Sequence, residues 1–165
     1  MDYQIVDKPS FTVVGKALRV GTKDGENFRR IPQFWQECLG DGSHDQLVAL
    51  AAQGGSLRDV TLGMCMDFAA DMSEFTYMIA AEESKDGGIP EGMVEKTVPA
   101  TTWAVFEAVG PMPDAIQNVW SGIWSEFFPS SPYKHGDGPD VEVYPSGDPT
   151  QADYRTQVWV PVVLK

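Results

Sequence analysis

The chain has 165 residues, 12 Lys+Arg against 24 Asp+Glu, a formal charge of −12 and a sequence pI near 4.4. That balance excludes a nucleic-acid surface, which needs clustered bases to displace counterions from phosphates. With 42% hydrophobic, 11% aromatic and only 22% charged residues, it also excludes a disordered acidic tail.

Residues 2–19 run β-branched around Pro9 and read as one proline-interrupted strand, followed by TKDGENF as a turn. From Ile31 the period becomes helical: Ile31, Phe34, Trp35 and Cys38 fall at i, i+3, i+4 and i+7, with Pro32 placed where a first helical turn tolerates it. Gly40 and Gly42 interrupt that helix, and LVALAAQ resumes it before Gly54 and Gly55 end it. VTLGMCMDF and FTYMIAAEE then read as paired strands. After KDGGIPEG the order starts again, with MVEKTVPATTWAVFEAVG as a strand containing Pro99 and PDAIQNVWSGIWSEFF as a helix. VEVYPSG and DYRTQVWVPVVLK close the chain as strands.

The order strand, helix, strand, strand thus occurs twice, over about residues 1–84 and 93–165 of a single domain spanning 1–165. At an offset of 89, IPQFWQE superposes on WSGIWSE, matching Trp35 with Trp124. The charge divides as evenly, with 14 acids and 8 bases up to residue 90 and 10 acids and 4 bases after it. One helix per three strands predicts an α+β fold: two pseudo-symmetric βαββ repeats forming a concave antiparallel sheet that carries two helices, with a ligand groove at the seam.

No apolar run reaches the ~18 residues of a membrane span and the N-terminus lacks a signal-peptide pattern, so a cytoplasmic protein is expected. Cys38 and Cys65 have neither CxxC nor Cys/His spacing, and His44 and His135 lie far apart in polar segments. Neither a metal nor another cofactor is expected. GxSxG, Walker spacing and Ser/His/Asp or Cys/His arrangements are missing.

The candidate chemistry lies in one carboxylate and the aromatics. Alternation in VEVY places Glu142 opposite Val141 and Val143 and on the face of Tyr144, with Lys134 the nearest base before it and Arg155 after it. On an outer face Glu142 is one more solvated acid; on an inner face it needs a cation that the chain does not supply nearby. Trp35, Trp120 and Trp124 have core spacing on helices, whereas Trp103, Tyr77, Tyr144, Tyr154 and Trp159 lie on strands. Aromatic faces around a carboxylate attract organic cations, at ~0.5–2 kcal/mol per good face. Methionines such as Met64, Met66 and Met78 read as core, or as adaptable lining if they share the groove. A Glu142/tyrosine pair acting on an electrophilic ligand is the catalytic alternative.

The segments YQIVDKPSFTVVGKALRV, IPQFWQE, LGMCMDF with FTYMIAA, VPATTWAVFEAVG, AIQNVWSGIWSEFFPSSPY, VEVYPSGD and DYRTQVWVPV, in that order, resemble the GyrI-like small-molecule-binding domains. These also form the effector-binding halves of AraC- and MerR-type multidrug-responsive regulators. The resemblance covers almost the whole chain. It implies two fused βαββ repeats and a pocket for bulky, often cationic and aromatic compounds, with Glu142 facing the ligand charge and Trp103 and Tyr154 as pocket residues. Repeat position and face add Tyr77, Trp120 and Trp159, while Gln157 stands where family members often carry a second acid. No helix-turn-helix precedes the first strand, so the resemblance implies a stand-alone member that does not itself bind DNA. Such members sequester toxic compounds, hydrolyse electrophilic ones or bind DNA gyrase as inhibitors.

Overall fold

The computed structural model describes all 165 residues. It contains nine strands, β1 Gln4–Lys8, β2 Phe11–Gly21, β3 Val60–Met66, β4 Glu74–Glu82, β5 Val94–Val98, β6 Thr101–Val109, β7 Tyr133–His135, β8 Asp140–Pro145 and β9 Arg155–Leu164. The helices are α1 Glu26–Gly40, α2 Ser43–Ala51 and α3 Asp114–Gly122, the last continuing through a π turn, Ile123–Phe127, into a final turn, Phe128–Ser130. The fold is α+β, and every strand pairing described below is antiparallel.

The chain divides into two compact units, residues 11–98 and residues 1–10 with 99–165. Their boundaries differ from those of the sequence repeats because Pro9 and Pro99 each separate two strands, not two parts of one. Strand β1 pairs with β6, from Gln4↔Val105 to Lys8↔Thr101, and so joins the second half of the sequence. Strand β5 pairs with β2, from Phe11↔Val98 to Gly15↔Val94, and so joins the first. A proline lacks the N–H that a continuous ladder needs, and at both places the strand breaks there and the chain passes into the other unit.

In the unit of residues 11–98 the strand order is β3-β4-β2-β5. Phe34 and Cys38 of α1 and Leu47 and Ala51 of α2 pack on Val14, Val20, Phe75, Tyr77, Ile79 and Ala81 of one sheet face. Met64 and Met78, paired across β3 and β4, stand on the opposite face and are almost wholly buried. They are therefore core methionines and do not share the face of Tyr77. Helix α1 starts at Glu26, five residues before the predicted Ile31, so Pro32 lies inside the helix. The residues read as a turn contribute only Lys23–Gly25, a short 3-10 segment ended by Gly25 at φ 72°, where a glycine carries no Cβ penalty. Gly15, between β4 and β5, is required for another reason: a Cβ there would overlap the Ile79 carbonyl oxygen.

In the unit of residues 1–10 and 99–165 the order is β1-β6-β9-β8, with β7 also on β9. Ile116 of α3 and Ile123 and Phe127 of the π turn cover Ala104, Phe106, Ala108, Val158, Val160 and Val162. Cross-strand partners share a face. Glu142 is paired with Val158 and therefore lies under the helix. Trp103 is paired with Pro161 and Val105 with Trp159, so both tryptophans occupy the opposite face of the same sheet.

Candidate functional site

The helix-covered face places a tryptophan against a strand polar group in each unit. In the first, Trp35 of α1 donates its indole N–H to the Tyr77 hydroxyl oxygen at 2.9 Å, and Phe34 meets the Tyr77 ring edge-on. In the second, Trp120 of α3 donates to Glu142 Oε2 at 2.9 Å, while the Tyr144 hydroxyl donates to Glu142 Oε1 at 3.0 Å. By position and bond, the counterpart of Trp35 is thus Trp120, not Trp124 as the offset of 89 predicts. The π turn inserts its extra residue after Trp120, so Ile123 and Phe127 face the core and Trp124 is 54% exposed.

Glu142 receives two neutral donors and no cation. It is half-buried, with part of the residue accessible. Burial pushes its carboxyl above the ordinary value, and the bonds from Trp120 and Tyr144 pull it back without cancelling the burial; the Asp140 charge adds to the upward push. Trp120 and Tyr144 are also half-buried, leaving ring surface beside the carboxylate.

Asp140 lies on the same face of β8, two residues earlier, and has its own partner. His135 Nε2 is 2.6 Å from Asp140 Oδ1, and its Nδ1 is 2.6 Å from the Gly136 carbonyl oxygen. Burial alone would lower the His135 pKa, but Asp140 and the Gly136 carbonyl reverse the direction and raise it. The Trp124 ring stacks on the imidazole, with centroids 5.9 Å apart and planes 10° from parallel, and Phe128 approaches at 6.0 Å. Sequence reading missed this pair. The available signal was the segment His135-Gly-Asp-Gly-Pro-Asp140, a tight connection that returns the chain beside itself.

Trp103 and Trp159 lie on the sheet face opposite Glu142. Trp103 is fully buried on the other face, 5.8 Å from the Trp159 ring, and its indole N–H has no partner. Trp159 donates to Gln157 Oε1 at 2.9 Å and carries the Lys8 ammonium 4.4 Å above its ring, so the chain itself provides a cation there. Tyr154, immediately before β9, is buried and donates to the Pro145 carbonyl oxygen at 2.8 Å, tying together the ends of the β8–β9 connection. Tyr77 belongs to the other unit. Cys38 is a buried thiol, and no group of three or more His, Cys, Asp and Glu is placed to hold a metal. No helix is long and apolar enough to cross a membrane.

A model of the GyrI-like small-molecule-binding domain matches residues 1–163. The chain belongs to the GyrI-like family. Among GyrI-like relatives, the transcriptional regulator BrlR of Pseudomonas aeruginosa is 26% identical over 169 residues, which is 98% of this chain and 56% of BrlR. The chain thus spans little more than half of that regulator. A bacterial transcription regulation protein from Staphylococcus aureus has a crystal structure that superposes with a TM-score of 0.84 at 28% identity, covering 98% of each chain. SAV2435, solved with tetraphenylphosphonium bound, superposes with a TM-score of 0.82 at 26% identity, covering 99% of this chain and 94% of that one. A Listeria innocua hydrolase shares the fold at 11% identity and a TM-score of 0.50.

Proposed function

We propose that this GyrI-like domain binds organic cations with aromatic or amphiphilic character, using Glu142 as the counter-ion and the rings of Trp120 and Tyr144 as walls. The observation that carries the reading is the half-buried Glu142 carboxylate held by two neutral donors and by no base. Desolvation of that carboxylate is built into the fold, so a cation arriving there meets an acceptor that does not first have to shed water. Flat rings beside it add cation–π attraction and tolerate ligands of different outline. The tetraphenylphosphonium bound by SAV2435 supports the same ligand class.

The test is a titration of tetraphenylphosphonium against intrinsic tryptophan fluorescence, with Trp120 as the reporter beside the site. Saturable quenching that disappears in Trp120→Phe supports the reading, and a flat signal together with no heat of binding contradicts it. Hydrolysis of an electrophilic ligand is the second reading, favoured by the 3.0 Å contact between the Tyr144 hydroxyl and Glu142. It predicts consumption of an epoxide or strained-ring probe that stops in Tyr144→Phe; recovery of the probe intact counts against it.

A further inference from the structure

Asp140 and Glu142 share a strand face and differ in what neutralises them. Both nitrogens of the His135 ring lie 2.6 Å from oxygen acceptors, one the Asp140 carboxylate and the other the Gly136 carbonyl. With Asp140 ionised, both acceptors are satisfied only when both ring nitrogens carry hydrogen, so the arrangement favours the imidazolium and pairs Asp140 within the protein. The same geometry leaves no ring nitrogen free to take a proton from a ligand, so His135 is not a general base here.

No comparable cation reaches Glu142. On β9, Arg155 is on the opposite face and pairs with Glu107 at 3.3 Å. On β7, Lys134 is exposed, and Lys165 after β9 donates to the Phe128 carbonyl oxygen. From the helix side the charged groups are acidic: Asp114 in the exposed first turn of α3 and Glu126 in the π turn, the latter 3.5 Å from the Met1 amino group. Asp137, in the connection before β8, is exposed and lies near His135. Within this unit Glu142 is thus bordered by Asp140, whose cation is already engaged, and by the neutral Trp120 and Tyr144.

A desolvated carboxyl group bonded to neutral donors and to no base has one charge-neutral state open to it in water, the acid. We propose that the empty protein holds Glu142 as the carboxylic acid and that a permanent organic cation enters by displacing this proton, one H⁺ released to solvent for each cation bound. The O–H bond of Glu142 breaks, its electron pair stays on the carboxylate, the proton passes to water and buffer, and the carboxylate pairs with the cation. The inference rests on the reading of Glu142 as the ligand's counter-ion and adds its regulation. The upward displacement of the Glu142 carboxyl by burial and by Asp140 agrees with it.

The exchange has a pH signature. Where the empty site is protonated, affinity for a cation of fixed charge rises about tenfold per pH unit, and it levels off once the empty site is ionised. A neutral ligand of the same shape binds without releasing a proton and loses affinity over the same range. The site therefore favours quaternary ammonium and phosphonium compounds above the midpoint and their neutral analogues below it.

The experiment is calorimetric titration of tetraphenylphosphonium into the wild-type protein, at each of several pH values between about 5 and 9, in buffers of different ionisation heat. The slope of observed heat against buffer heat gives the protons released. The expected result is close to one proton at the acid end, falling to none at the alkaline end, and none at any pH in Glu142→Gln. Tyr144→Phe, which removes one donor to the carboxylate, shifts the midpoint to higher pH. Binding that Glu142→Gln weakens but that releases no proton at any pH overturns the exchange and leaves the counter-ion reading standing. Binding that Glu142→Gln leaves unchanged, or no binding by the wild type, overturns both.

Discussion

Replacing Glu142 by glutamine removes the charge while keeping the shape and hydrogen bonds. The amide oxygen can accept from the Trp120 N–H, now 2.9 Å from Oε2, and the amide nitrogen can donate to the Tyr144 oxygen, now 3.0 Å from Oε1. The hydroxyl of Tyr144 only has to turn. A bulky cation brings its charge centre to within about 6 Å of the carboxylate; at an effective dielectric constant near 20 the attraction is about 3 kcal/mol. Its loss corresponds to a roughly hundredfold rise in Kd at a pH above the midpoint, where the empty wild-type site is already ionised.

Thermal unfolding gives an independent sign. The folded-state pKa of Glu142 is raised, so the native state binds more protons than the unfolded chain between the ordinary carboxyl value and the raised one. The group's contribution to stability is therefore fully present below the ordinary value and lost as pH rises through that window. The expected result for Glu142→Gln without ligand is a higher Tm than wild type at neutral pH. The tetraphenylphosphonium-dependent increase in Tm should be largely abolished. A Kd within threefold of wild type, with the ligand-dependent increase retained, would refute the reasoning.

Trp120→Phe keeps an aromatic wall and removes the N–H bonded to Glu142; loss of a hydrogen bond to a charged group, about 1.5–3 kcal/mol, predicts a ten- to hundredfold weaker cation Kd by calorimetry. Trp103→Ala empties a fully buried site on the opposite sheet face and should cost about 3–5 kcal/mol in denaturant unfolding. The Kd of its folded fraction should remain within threefold of wild type. The raised pKa of His135 means that its contribution to stability is present below the ordinary value of 6.5 and lost as pH rises through the raised value. Tm against pH should fall across that window more steeply in the wild type than in His135→Gln, which keeps only the slope due to Glu142.

Glu142 was legible in the sequence because a strand has a period of two: VEVY alone fixes which neighbours share its face. The same rule told less about Trp103 and Trp159. Each alternates visibly within its own strand, but whether that face is the one of Glu142 depends on the pairings Glu142↔Val158 and Val105↔Trp159, which join residues far apart in the chain. Phe34 and Cys38 were read correctly as the buried stripe of α1. Its true start was hidden, because Asp24, Gly25 and Asn27 favour turns and the helix begins only after the left-handed Asp24 and Gly25. Trp124 was read as a core residue because α-periodicity was assumed to hold through WSEFF, and a π turn has no sequence period of its own. His135 and Asp140 looked unrelated until the short connection between β7 and β8 set them 2.6 Å apart.

A crystal structure of the protein with tetraphenylphosphonium bound tests the central claim most directly. The account predicts the phosphonium centre within about 6 Å of the Glu142 carboxylate, with phenyl groups against Trp120 and Tyr144. A ligand seated instead on the face of Trp103 and Trp159, where Lys8 already covers the Trp159 ring, would contradict it.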